Sequence, residues 1–175
     1  PAGTDANVQS ARITFIRLAA NREKFDAAEK ALTAYRSASP RTAARSFSAE
    51  KTLAAAYLKD TTPENKAAKT ALALPHARAA YAAAKELPGA TPDERETKAQ
   101  ALAESATQFT ELAGESSPTE NFRTIWREVR DFAVAFPSAK LYRKAVQSLA
   151  SVGDPGNETK LHAPSDDPTL LAPDL

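Results

Sequence analysis

The sequence predicts an all-α protein of seven or eight antiparallel helices followed by an extended C-terminal tail. Three observations carry this. Alanine fills 39 of the 175 positions, and alanine is the best helix former because it loses no side-chain entropy on folding. The same helix-start signal, a Thr or Ser followed by Pro and an early acid, occurs at Thr62-Pro63, Thr91-Pro92 and Ser117-Pro118. Only five glycines occur, and Val, Ile and aromatic residues are too sparse to build several strands.

Each element follows from apolar spacing and its punctuation. Residues 1–6 carry no periodicity. The first helix runs from about Asn7 to Ala20, with Val8, Ala11, Phe15, Leu18 and Ala19 at helical spacing and Asn7 as cap. The second, about Lys24 to Ala38, carries the stripe Phe25, Ala28, Leu32 and Tyr35 and ends at Pro40. The third, about Thr42 to Lys59, turns Phe47, Leu53, Ala54, Tyr57 and Leu58 inward. Thr62 is the expected cap of the next, with Pro63 in its first position. That helix meets Pro75, where it should kink, or stop near Ala73 and restart. Helical sequence continues to Leu87, and Pro88-Gly89 closes it.

Thr91 opens a helix to about Ala113 that buries Ala99, Leu102, Ala106, Phe109 and Leu112, with Gly114 as C-cap. Ser117 opens another, to Phe136, with Phe122, Trp126, Val129, Ala133 and Phe136 on one face. The last helix, about Ala139 to Ala150, buries Leu141, Tyr142, Ala145 and Leu149. Short links imply antiparallel neighbours. The organisation expected is one helical domain over 1–151 and a Pro-rich acidic tail or linker over 152–175.

Charge divides along the same line. The tail holds five acids and one base, while residues 1–151 hold 22 bases against 17 acids, a mild +5. That is too little for a nucleic-acid binder. There is no cysteine, which excludes disulfides, thiolate metal sites and thiol nucleophiles. No apolar run reaches a membrane-spanning length. The opening PAGTDA is of the small-residue type left after signal cleavage, which leans the reading towards a secreted or periplasmic compartment.

Candidate chemistry is sparse. His76 has no carboxylate within one helical turn to orient it and reads as a surface or partly packed histidine. His162 shares a helical face with Glu158 only if the tail is helical, and its prolines oppose that. No phosphate loop or nucleophile elbow occurs. The acid pairs Glu94 with Glu96 and Asp166 with Asp167 read as caps and solvating groups. No catalytic residue, cofactor or metal is therefore expected, and the chain reads as non-enzymatic.

The candidate partner-binding residues are Arg123, Arg127 and Arg130, spaced i, i+4, i+7 beside Trp126. Such a row can grip a carboxylate, a phosphate or a ring; as a solvated flank it would be laced with Glu128 and Asp131. A looser set is Arg36, Arg41 and Arg45. In the tail, Leu170 and Leu171 between Pro168 and Pro173 form a candidate apolar hook.

Two segments resemble a known repeat. KFDAAEKALTAYRSASP resembles the second helix of a tetratricopeptide repeat, with Ala28, Leu32 and Pro40 where that family has its alanine, its large apolar residue and its closing proline. DFAVAFPSAKLYRKAVQSLA is similar to the variant in bacterial cell-envelope repeat lipoproteins. Ile16 and Tyr35 depart from the family, standing where it has small residues, and residues 60–115 give no clean copy. The resemblance implies a curved stack of hairpins whose concave face binds another protein; the residues alone leave an irregular bundle equally open. The expected function is a protein–protein interaction module or scaffold. The alternative is an accessory subunit of a larger complex, membrane-associated or not, that uses its tail as a strap.

Overall fold

The structure, a computed structural model, describes residues 6–38, 41–114, 119–135 and 139–151. It holds seven helices and no strand among the described residues, an all-α fold. They fall into two compact units that divide between Leu87 and Pro88.

The first unit contains α1 (Ala6–Asn21), α2 (Phe25–Arg36), α3 (Ala43–Leu58) and α4 (Lys66–Lys85). Between α1 and α2 the chain turns through Glu23 at φ 59°. The Glu23 N–H bonds the Ala20 carbonyl and the Lys24 N–H the Ala19 carbonyl, both at 2.9 Å. This pair of reversed bonds closes a helix end, usually with glycine at the left-handed position. Here Glu23 takes it, and its carboxylate pairs with Lys59 at 2.9 Å. The link from α2 to α3 is held by Tyr35, whose hydroxyl donates to the Thr42 carbonyl at 3.3 Å. Thr42 then caps α3, its side chain accepting from the Arg45 N–H. Pro40, expected to end the second helix, lies outside the described residues.

α3 packs most closely on α4, and α1 packs on both α2 and α3. The α4 interface is an alanine stripe: Ala73, Ala77, Ala80 and Ala84 have no exposed surface. Against it stand Leu53 and Ala54, equally buried, and Tyr57. Small side chains let two helices approach, and their i, i+4 spacing keeps the stripe on one face.

For α4 one expectation is corrected, and of the two alternatives at Pro75 one is excluded. Its helix begins at Lys66, not at Pro63, because Asn65 reverses the capping roles: the Asn65 Oδ1 accepts from the Thr62 N–H at 2.8 Å, leaving Thr62–Asn65 as a turn. The helix also runs through Pro75 without stopping. Pro75 and Ala71 are both exposed. The carbonyl that loses its partner therefore lies on the solvent side, where water replaces the missing donor.

α1 is corrected as well. Of the expected inward stripe Ala19 is buried and Val8 half-buried, but the rest points outward: Phe15 is 50% and Leu18 48% exposed, and Ala11 is exposed. The buried residues are Gln9, Ile16, Ala19 and Ala20. α1 carries two overlapping apolar stripes, so a 3.6-residue period alone did not choose between them.

The second unit contains α5 (Pro92–Ala113), α6 (Thr119–Ala135) and α7 (Ala139–Ser151). α5 starts with a capping box: the Glu94 N–H donates to Thr91 Oγ1 at 3.3 Å, while the Glu94 carboxylate accepts the N–H groups of Thr91 and Ala90, each at 3.0 Å. Those bonds hold its pKa below the usual carboxylate range, led by the one from the Thr91 backbone. α6 packs on both α5 and α7. The core is Leu102, Ala106, Phe109, Trp126, Val129, Ala133, Leu141, Ala145 and Leu149, as the spacing predicted; Leu112 is half-buried.

Candidate functional site

The densest chemistry lies in the first unit, where α2, α3 and α4 each contribute ionisable groups to one cluster. His76 projects from the alanine face of α4 and is 6% exposed. Its Nδ1 lies 2.9 Å from Oε2 of Glu50 on α3, and its Nε2 lies 2.8 Å from Oε1 of Glu29 on α2. Only an imidazolium donates from both nitrogens; a neutral ring would set a lone pair against a carboxylate oxygen. The geometry therefore demands the charged form. Burial pushes the His76 pKa down, but the Glu50 hydrogen bond and the charges of Glu29 and Glu50 outweigh it, so the net displacement is upward.

Glu50 is itself 4% exposed. Its Oε1 accepts from Nε and Nη2 of Arg36, at 3.0 and 2.6 Å. Both of its oxygens are therefore committed to cations, as a buried carboxylate requires. The cluster balances: Arg36 and protonated His76 offset Glu29 and Glu50.

Tyr57 completes the set. Its ring lies between Phe25, at 4.4 Å between centroids, and the His76 ring, at 5.7 Å. An aromatic face over a cation is attractive. The Tyr57 hydroxyl donates to Glu29 Oε1 at 3.0 Å. Burial, then the Glu29 bond and charge, pushes its pKa up to about 12.

The reading of His76 as a surface or partly packed histidine is thus corrected. Its orienting carboxylates come from two other helices, 47 and 26 positions away in sequence. The signal was present: Glu50 shares the inward phase of Leu53, Ala54 and Tyr57, and His76 that of Ala73, Ala77 and Ala80. A charge on each of two facing apolar stripes implies a pair.

The arginine row is placed differently. Arg130 is 7% exposed, with its Nε and Nη2 each 3.0 Å from Oδ1 of Asp131. Arg123 and Arg127 are half-buried beside Trp126, which is 2% exposed. The row is therefore sunk into the flank of α6 and is not an open comb. Of the looser set, Arg36 holds Glu50, Arg45 bonds Ser10 Oγ at 2.8 Å, and Arg41 is exposed. Leu170, Leu171 and His162 lie outside the described residues, as do Asp166 and Asp167.

The described residues include two open surfaces of note. One is the outward stripe of α1. The other is a groove of about 480 Å³ between α5 and α7. Among the described residues no group of three His, Asp or Glu side chains is arranged to hold a metal, and no helix is long and apolar enough to cross a membrane. Comparison with protein families, with curated proteins and with solved structures gives no match.

Proposed function

We propose that the chain is a non-enzymatic protein–protein interaction module built of helical hairpins, recognising its partner through the outer face of α1. The carrying observation is the orientation of that helix. Phe15 and Leu18, half exposed, face outward in line with Ala11 and half-buried Val8, while the inward face takes Ile16, two alanines and the Gln9 amide. Fully burying a large apolar side chain is worth about 1.5–3 kcal/mol; Phe15 and Leu18 are half covered already, so a partner gains about half of that from each, on one contiguous stripe. A few central aromatic and aliphatic anchors commonly dominate an interface.

A non-enzymatic role is supported by the commitments within the His76 cluster. Both ring nitrogens and both Glu50 oxygens are taken by neighbouring side chains, which leaves neither group to exchange a proton with a substrate. The hairpin-repeat reading belongs to the same proposal, supported by Ala28 and Leu32, which have no exposed surface in α2.

The test compares the wild-type chain with a Phe15→Ser/Leu18→Ser double variant as bait in an extract of the native source. The expected result is a stoichiometric partner retained by the wild type and lost by the variant, at unchanged melting temperature. Equal retention by both baits overturns the assignment of this face. A marked loss of stability in the variant overturns it too, since the stripe would then be packed.

A further inference from the structure

The charges around the outer face of α1 specify the chemistry of what covers it. Residues 6–22 hold Arg12, Arg17 and Arg22 and no Asp or Glu. At about 100° per residue, Arg22 continues the line of Ala11, Phe15 and Leu18 by one more turn. Arg12 borders this stripe on the Phe15 side, and Arg17 stands on the opposite side, towards Leu18. Arg17 and Arg22 are exposed and Arg12 is half-buried. One sign of charge therefore borders two exposed large apolar side chains.

This positive charge is not balanced by the neighbouring acids. Glu23, the acid next in sequence, pairs with Lys59 at 2.9 Å. On α2 and α3, the helices packed against α1, Glu29 is held by His76 and Tyr57, and Glu50 by His76 and Arg36. Asp26, the remaining acid of α2, forms no ion pair with an α1 arginine among the described residues. Arg12 Nη1 donates to Gln9 Oε1 at 3.3 Å, a neutral acceptor. Arg17 and Arg22 make no side-chain hydrogen bond or ion pair among the described residues.

We propose that the outer face of α1 docks an acidic amphipathic helix of a partner protein, a proposal that rests on the interaction role assigned to this face. The partner helix sets an apolar stripe on Phe15 and Leu18 and places Asp or Glu beside Arg12, Arg17 and Arg22. A guanidinium takes a carboxylate in a two-pronged bond, and like charge on a wrong partner is repelled. A helix is the form that fits. α1 spends its backbone N–H and C=O groups internally and offers no edge to an extended strand. Contact is then side chain on side chain, over about three turns from Ala11 to Arg22. An anionic lipid surface is the competing occupant. Two half-covered side chains offer it less apolar contact than one acyl anchor, which alone binds only marginally.

The probes are synthetic helices of about 20 residues, long enough to fold alone, with one leucine stripe and flanks of Glu, Gln or Lys. Affinity for the full chain is read by fluorescence anisotropy. At low salt the Glu-flank helix should bind about tenfold tighter than the Gln-flank helix, the summed effect of modest rim pairs. The Lys-flank helix should bind most weakly, and added salt should shrink the differences. Arg17→Glu/Arg22→Glu should reverse the order. Both side chains are exposed; if charge reversal unfolds the chain, Arg17→Gln/Arg22→Gln should remove most of the Glu-flank advantage instead.

No binding by the Glu-flank helix, equal binding by all three, or an order unmoved by a folded arginine variant overturns the proposal. Phe15→Ser/Leu18→Ser separates its failure from that of the α1 assignment. Equal binding that this variant abolishes keeps the face and overturns its acidic complement. Glu-selective binding that survives the variant overturns both. Sedimentation of the chain with phosphatidylserine vesicles, without binding to the Glu-flank helix, overturns the proposal in favour of a lipid surface.

Discussion

His76 should make the first unit less stable as pH rises through neutrality. Its pKa in the folded chain is raised by Glu50 and Glu29 despite burial, while in the unfolded chain it returns to about 6.5. A raised folded pKa means that the folded state holds its proton more tightly. That stabilisation is complete below about pH 6.5 and is lost as pH climbs through the folded pKa. Each unit of displacement contributes about 1.4 kcal/mol, and 1 kcal/mol moves the melting temperature of a domain of this size by about 4–8 °C. The structural reason is specific. On losing its proton the ring keeps one donor, and its other nitrogen then faces a carboxylate at under 3 Å. Removing the ring altogether, His76→Ala, leaves Glu50 with Arg36 alone. Stranding a buried charge costs about 3–5 kcal/mol. Arg36 still satisfies one Glu50 oxygen and the Glu29 side chain is 35% exposed, so the loss should sit near 3 kcal/mol. The assay is thermal melting by far-UV circular dichroism from pH 5.5 to 9, on wild type and on His76→Gln. Imidazole proton resonances, assigned with a His162→Gln variant, give the titration directly. A wild-type melting temperature that is flat or rises from pH 6.5 to 9, an equal slope in His76→Gln, or a His76 resonance that titrates below 6.5 would refute the reasoning.

Tyr57 should ionise late. In a spectrophotometric alkaline titration, one phenol should remain protonated until about pH 12, and that late phase should vanish in Tyr57→Phe; with a raised folded pKa, its contribution to stability is lost from about pH 10 upward. Trp126→Ala should cost about 3–5 kcal/mol in a denaturant melt, the range for deleting a core tryptophan, because the ring is 2% exposed. Ala80→Leu should destabilise by about 1–3 kcal/mol through overpacking of the α3–α4 contact, where Ala80 has no exposed surface. Thr91→Ala should cost about 1 kcal/mol, since it removes the side-chain acceptor of the capping box.

The helices were legible because their signals are local. Thr91-Pro92-Asp93-Glu94 places a cap, a proline and a capping acid within four residues, and each does in the structure what its chemistry dictates. Trp126, Val129 and Ala133 share one face and are buried together. Where two local signals competed, spacing could not choose between them. α1 offers Val8, Ala11, Phe15 and Leu18 on one face and Ile16, Ala19 and Ala20 on another. The face that α2 and α3 select is decided by partners far away in the chain. At Pro75 the sequence registers a lost donor but not which side of the helix it falls on. The solvent side tolerates it.

The candidate sites were less legible, because none of them is a motif. Glu29, Glu50 and His76 sit on three helices, and no short stretch of the sequence contains more than one. What the sequence does contain is a cost. A carboxylate in phase with Leu53 and Tyr57, and an imidazole in phase with Ala77 and Ala80, each face a desolvation penalty that only a partner of opposite charge offsets. The fold resolves this by setting the two stripes against each other, so the cluster follows from α3 packing on α4. The same dependence runs in reverse. Apolar alanine stripes allow many registers along their length, whereas one buried imidazolium between two carboxylates allows only one. The cluster thus specifies the register of the α3–α4 pair as well as stabilising it. A double variant that makes the interface wholly apolar, Glu50→Leu/His76→Leu, tests this reasoning. It should retain much of the stability of the unit, as buried ion pairs replaced by apolar groups often do. It should also broaden the amide resonances of α4 as its register is freed. Sharp, native-like spectra from that variant would show that packing alone sets the register.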